Sequence, residues 1–263
     1  MLGAILGDVI GSTREWHNIK SEDFELFPSG SRFTDDTVMS IAVAEKLLHQ
    51  SSGVNSRIAY AMWFKQYYKR FPNAGFGQMF STWAQRDDCP VQRSYGNGAA
   101  MRVTAIGYAY DDINPTLDEV KDSCYYTHNN REAIMGAEAV ATAVFLARKQ
   151  ENKDEIKKYL EKKYKYSFKC LDQIRDEYVF DSRSSYSVPP ALEAFFESDS
   201  YESAVRKAIS IGGDSDTIAC IAGGVAEAYY RGIPDDIRDK GLKFIDIGFK
   251  NVVNEFMQKF GDV

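Results

Sequence analysis

The chain has 263 residues, is 44% hydrophobic and 27% charged, and sets 32 Lys and Arg against 38 Asp and Glu, for a formal net charge of −6. These proportions suit a globular protein with a sizeable core and exclude collagen-like, coiled-coil and disordered chains. The acidic balance argues against a nucleic-acid binder, whose phosphate contacts need a basic surface.

Residues 1–11 are apolar, but Asp8 interrupts them and no Lys or Arg precedes them. The stretch therefore does not resemble a signal peptide and is too short to span a bilayer. Apolar residues at helical spacing, with abundant Ala, predict helices over 38–49, 58–68, 132–148, 156–164, 191–196, 218–230 and 242–260. Alternating strand patterns are scarce, so the expected fold is all-α. Gly and Ala cluster near Met1, Ala137, Ala219 and Ala226, which lets helix backbones approach closely in a compact multi-helix bundle. Residues 153–165 mix lysines with Glu155 and Glu161 and read as a solvated helix face. Pro189-Pro190 and Pro234 are read as residues that open helices. No linker, repeat or low-complexity tract breaks the chain, so a single domain over 1–263 is expected. Cys89, Cys124, Cys170 and Cys220 form neither a CxxC pair nor a zinc-site spacing, and reduced thiols in a cytoplasm are the simplest expectation.

Two acidic clusters stand out. Phe33-Thr34-Asp35-Asp36-Thr37 directly precedes the helix at 38–49, and Gly212-Gly213-Asp214-Ser215-Asp216-Thr217 directly precedes the helix at 218–230. Asp, Ser and Thr are favoured as helix caps, and one such cluster by itself reads as a cap. Two of matching chemistry, each entering an Ala-rich helix, also suit the oxygen coordination of Mg²⁺ or Mn²⁺. Asp8 sits in a Gly-rich apolar stretch where a carboxylate needs partners, and Glu15 follows that stretch. Gly96-Asn97-Gly98 before the next helix is either a plain turn or an anion-binding loop.

Taken in order, these motifs resemble the ADP-ribosylglycohydrolase family: Gly-Asp-Val-Ile-Gly-Ser from Gly7, Phe-Thr-Asp-Asp-Thr at 33–37, Gly-Asn-Gly-Ala-Ala-Met-Arg at 96–102, Thr-His at 127–128, and Gly-Gly-Asp-Ser-Asp-Thr-Ile-Ala at 212–219. The resemblance implies an all-α fold with two Mg²⁺ or Mn²⁺ ions at the base of a cleft. It implies Thr34, Asp35, Asp36, Asp214, Asp216 and Thr217 as metal ligands, with Glu15, Asp36 and Asp216 catalytic and Asp8 supporting. It implies that Gly96, Asn97, Gly98, Ala99 and Met101 surround the diphosphate and its ribose, that His128 lies near the phosphates, and that Gly75 and Gly77 belong to a second glycine loop. An adenine-side or gate segment is expected over 178–190, with Tyr186 as a stacking candidate.

The activity so implied is hydrolysis at the anomeric carbon of the distal ribose, releasing ADP-ribose from an ADP-ribosylated protein or a small-molecule conjugate, with no membrane partner and with nucleic acid disfavoured. Two rivals are a non-catalytic ADP-ribose-binding module and a di-metal nucleotide phosphohydrolase. The filled acidic positions argue against the first, and the missing His-rich ligand set argues against the second.

Overall fold

The computed structural model describes residues 1–49 and 54–261, and these residues are helical with no sheet, as expected. The helices are α1 (Leu2–Gly11), α2 (Asp35–Leu48), α3 (Ser56–Arg70), α4 (Gln78–Ala84), α5 (Thr104–Ala109), α6 (Ile113–Cys124) and α7 (Arg131–Arg148). They continue with α8 (Lys153–Tyr164), α9 (Leu171–Ile174), α10 (Ser184–Phe196), α11 (Tyr201–Ser210), α12 (Ser215–Tyr230), α13 (Asp235–Gly241) and α14 (Ile247–Phe260), with single 3-10 turns at Asn97–Ala99 and Leu242–Phe244. No helix among the described residues is long and apolar enough to cross a membrane.

Short polar side chains set the helix starts. Thr34, Asn55, Asp112, Asn130, Asn152, Ser200 and Asp246 each accept a hydrogen bond from a first-turn amide of the helix that follows. Each satisfies a donor that the helix itself leaves unpaired.

Helix α12 is the axis of the bundle. It is buried without interruption from Ser215 to Ala228, and α1, α7, α10 and α11 pack around it. Helix α1 lies antiparallel against it at backbone contact. A Cβ on Gly3 would stand 2.5 Å from Gly223 O, one on Gly7 2.2 Å from Ala219 O, and one on Gly11 2.6 Å from the Asp216 Cα. Only hydrogen fits at these crossings. The glycine spacing thus brings Asp8 and the loop after α1 against the first turn of α12.

Three local expectations are corrected. Pro189 and Pro190 lie inside α10, which starts earlier, at Ser184. A proline at 190 denies the Tyr186 carbonyl its helical donor, and the Tyr178 hydroxyl supplies one at 3.1 Å. The segment 242–260 is divided, because Ile245 is extended and Asp246 caps a new helix by accepting from Gly248 N at 2.7 Å. Finally, the lysine-rich helix α8 is not solvated throughout. Lys153 turns inward to donate to Phe195 O at 2.7 Å and the Tyr230 hydroxyl at 2.8 Å, and Lys157 pairs with the buried Glu193.

Candidate active site

Where α1, α2 and α12 meet, the two acidic clusters face each other. The α2 cap Thr34 and the first-turn residue Asp36 are buried, as are Asp214, Asp216 and Thr217 at the start of α12. The Asp36 carboxylate accepts from Thr217 Oγ1 at 3.3 Å, so the clusters are bridged directly. Gly212 and Gly213, with φ of +72° and +76°, turn the chain into α12 in a conformation that other residues rarely adopt.

Asp8 anchors this arrangement from below. Its carboxylate accepts from Thr34 N at 2.9 Å, Thr34 Oγ1 at 2.7 Å, Thr37 N at 3.1 Å and the Thr37 hydroxyl. Asn97 steadies the other side, donating to Asp214 Oδ2 at 2.8 Å and to Ser187 Oγ at 3.0 Å.

Carboxylate oxygens of Asp8, Asp36 and Asp216 lie within 4.8 Å of one another, and those of Glu15, Asp214 and Asp216 do likewise. Asp216 belongs to both groups. Asp36 Oδ1 is buried without a hydrogen-bond partner among the described residues. An orphaned carboxylate oxygen among four other carboxylates is costly unless a cation or a proton meets it. The donors are all hard oxygens, which fit Mg²⁺ or Mn²⁺.

The electrostatics point the same way. Burial, then the neighbouring Asp216 and Asp8, hold Asp35 and Asp36 well above the usual carboxylate range. Burial and Asp214 do the same to Asp216. Asp214 is pushed up to about 6 by burial, with the Asn97 hydrogen bond opposing. Glu15, only half-buried, is pushed up to about 7 by burial and Asp216, against Arg32 and a hydrogen bond from Trp16. Such a cluster requires positive charge to ionise fully.

The clusters form part of the wall of a cavity of about 430 Å³. Two glycine loops complete it. Gly75, at φ +112°, passes so close to Asp35 that a Cβ would lie 3.2 Å from its Oδ1. The Gly96–Gly98 loop is clamped from both sides, by Ser184 N to Tyr95 O at 3.0 Å and Asn97 N to Ser182 O at 2.8 Å, with Gln92 N on Tyr126 O at 2.9 Å. His128 stands beside this loop, its Nε2 3.1 Å from where a Gly98 Cβ would be. At the rim the exposed Trp16 stacks on Phe180, ring centroids 5.2 Å apart.

Comparison with known proteins matches this architecture. A sequence profile described as ADP-ribosylglycohydrolase covers residues 1–260. The chain belongs to the ADP-ribosylglycohydrolase family. ADP-ribosylhydrolase ARH3 of Homo sapiens is 28% identical over 88% of this chain and 84% of its own length. ADP-ribosylarginine hydrolase Tri1 of Pseudomonas putida (strain GB-1) is 26% identical over 91% of this chain and 72% of its own. A solved structure titled "ADP-ribosylglycohydrolase-related protein complex" shares the fold, with a TM-score of 0.71 at 21% identity over 98% of this chain and 95% of that one.

In this glycohydrolase the cavity wall includes Glu15, Thr34, Asp35, Asp36, Asp214, Asp216 and Thr217, together with Gly75, Gly77, Gly96, Asn97, Gly98, Met101 and His128. Ala99 is fully buried in the core and does not line it. Tyr186 does not line it either, since its ring stacks on Tyr178 at 4.7 Å and faces a separate surface cavity. From the same segment it is Phe180 and Ser182 that reach the glycohydrolase cleft. Arg32, Trp16 and Ser94 also line it and were not singled out by sequence. They occupy loops without periodicity, and no spacing rule marks them.

Proposed function

We propose that this protein hydrolyses the glycosidic bond joining the distal ribose of an ADP-ribose unit to an acceptor, most naturally a protein side chain, in a reaction that depends on divalent metal. The observation that carries this reading is the convergence of five carboxylates (Glu15, Asp35, Asp36, Asp214 and Asp216), a bridged pair of helix starts and a glycine-clamped loop on one cavity. The relatives named for ADP-ribosylhydrolase and ADP-ribosylarginine hydrolase activity support the same bond class.

Thr34, Asp35, Asp36, Asp214, Asp216 and Thr217 would hold two Mg²⁺ or Mn²⁺ ions, with Asp8 bracing them through Thr34. When bound, such ions supply Lewis acidity and orient vicinal hydroxyls and water. The chain's own part is to position and to move a proton. Glu15, pushed up to about 7 and half-buried at the edge of the cluster, is placed to take a proton from an attacking water near neutral pH. The developing charge at the anomeric carbon has oxocarbenium character, and the surrounding carboxylates stabilise it. Asn97 fixes the orientation of Asp214. The Gly96–Gly98 backbone leaves room for an anion to approach closely.

The test is to incubate the purified protein with a panel of ADP-ribosylated acceptors (arginine, serine, nucleic-acid base and O-acetyl conjugate), with Mg²⁺, with Mn²⁺ and with chelator. Free ADP-ribose appearing only with metal is the expected result, and the acceptor that releases it defines the substrate class. Release of AMP or phosphate instead would assign a phosphohydrolase. Undiminished activity in chelator would overturn the metal-dependent scheme.

A further inference from the structure

His128 is the one histidine in the cleft, and its role depends on which ring nitrogen carries the proton. The structure supplies an answer through two residues that touch no cluster carboxylate. Arg102 is 1% exposed, and its guanidinium lies over the Phe64 ring at 4.2 Å. Its Nη2 donates to Ser123 O at 2.8 Å and to Thr127 Oγ1 at 2.9 Å. Thr127 Oγ1 in turn lies 2.8 Å from His128 Nδ1.

The directions of these bonds are forced. A guanidinium only donates, so Thr127 Oγ1 must accept from Arg102. Thr127 is 1% exposed, and among the described residues its hydroxyl has no hydrogen-bonding partner besides Arg102 and His128. Its proton therefore goes to His128 Nδ1, since the opposite direction would strand a buried hydroxyl proton. That leaves the ring proton on Nε2, the nitrogen beside Gly98. Burial and the nearby Arg102 charge keep the imidazole neutral, so no second proton blurs the choice.

We infer that Arg102 and Thr127 are positioning residues that fix His128 as the Nε2–H tautomer, presenting a neutral hydrogen-bond donor to an anionic oxygen lodged at the Gly96–Gly98 loop. The oxygen is that of a phosphate group of the bound nucleotide, so this inference rests on the ADP-ribose reading for its ligand, though not for its tautomer. An unprotonated Nε2 facing the same oxygen would set two acceptors against each other.

The test is the histidine nitrogen spectrum of isotopically labelled protein, recorded without substrate in the H17Q/H49Q background so that His128 alone reports. The expected wild-type spectrum is that of a neutral ring protonated at Nε2. Thr127→Val should abolish that bias and raise KM by about tenfold, with the loss falling on KM rather than kcat. Thr127→Ser, which keeps the hydroxyl, should restore both. A wild-type ring protonated at Nδ1, or a Thr127→Val ring still held as Nε2–H, overturns the inference. The spectrum needs no turnover. Should Thr127→Val fail to fold, the wild-type spectrum still decides. A protein that releases no ADP-ribose but shows the Nε2–H ring loses the glycohydrolase reading and keeps the relay.

Discussion

Glu15 and Asp8 belong to one sequence motif, yet their surroundings give them separate tasks. Asp8 is fully buried and its carboxylate is consumed by four donors from Thr34 and Thr37, so it holds the α2 start in place. Glu15 is half-buried with its proton affinity raised to about 7, so it can exchange a proton with the cleft. Glu15→Gln should therefore cut kcat by about 10²- to 10⁴-fold in a protein that melts no lower than the wild type at neutral pH, since the half-buried charge is gone. Asp8→Asn, which turns an amide group toward donors, should cost about 1–3 kcal/mol of stability by denaturant unfolding. Asp36→Asn or Asp216→Asn should lower turnover by about 10²- to 10³-fold in a folded protein, and full activity in either would remove the carboxylates from the mechanism. The acidic clusters were legible in the sequence because two of matching chemistry each enter an Ala-rich helix, and Asp8 because it interrupts an apolar stretch, where a carboxylate needs partners. Asn97 was legible as a member of the loop expected around the diphosphate, but not as a partner of Asp214. Its bond to Asp214, 117 positions away, depends on a tertiary contact that no local pattern encodes.

At the scale of elements, the spacing of Gly3, Gly7 and Gly11 fixes how deeply α1 sinks onto α12, and hence where Asp8 stands relative to Asp216. Gly7→Ala gains helix propensity of about 1 kcal/mol, but its methyl would lie 2.2 Å from Ala219 O, and backbone cannot yield as a side chain can. Net destabilisation of about 1–3 kcal/mol is expected. Gly77→Ala is the control, since nothing lies within 4 Å of its added methyl. Thermal melts of the two variants check this directly, and equal stability would show that the helices can separate freely. The helices themselves were readable from periodicity and caps, and the small residues from composition. The partner of the α1 glycines was not readable, because an antiparallel seam between residues 3–11 and 215–223 has no local signature. The α10 prolines were misplaced for a similar reason: the Tyr178 hydroxyl that accommodates them comes from outside the helix.

Over the whole molecule, the acidic cleft makes stability depend on pH and on metal together. In the unfolded chain, carboxyls titrate near 4, whereas in the fold Glu15 stands at about 7 and Asp214 at about 6. A raised folded value means that the folded state binds more protons, so stability is full below about pH 4 as far as these groups act, and declines as pH rises through 6 and 7. Metal-free protein should accordingly melt at a lower temperature at pH 8 than at pH 5.5. Added Mg²⁺ or Mn²⁺ should raise the melting temperature at pH 8 far more than at pH 5.5, because cation and proton compete for the same oxygens. A melting temperature indifferent to both would mean that the carboxylates do not share charge as their spacing requires.

The aromatic pair at the cleft mouth has a practical corollary. Of the three tryptophans, Trp83 is wholly enclosed and Trp63 half-covered, while Trp16 is 72% exposed and stacked on Phe180. The indole that neighbours Glu15 is thus also the one bathed in water, and its fluorescence should be the red-shifted component of the emission. Filling the cleft changes the surroundings of that ring before the others, so the protein carries an intrinsic optical probe of occupancy that needs no label and no turnover. Comparing emission before and after adding ADP-ribose, in wild type and in Trp16→Phe, would read it out.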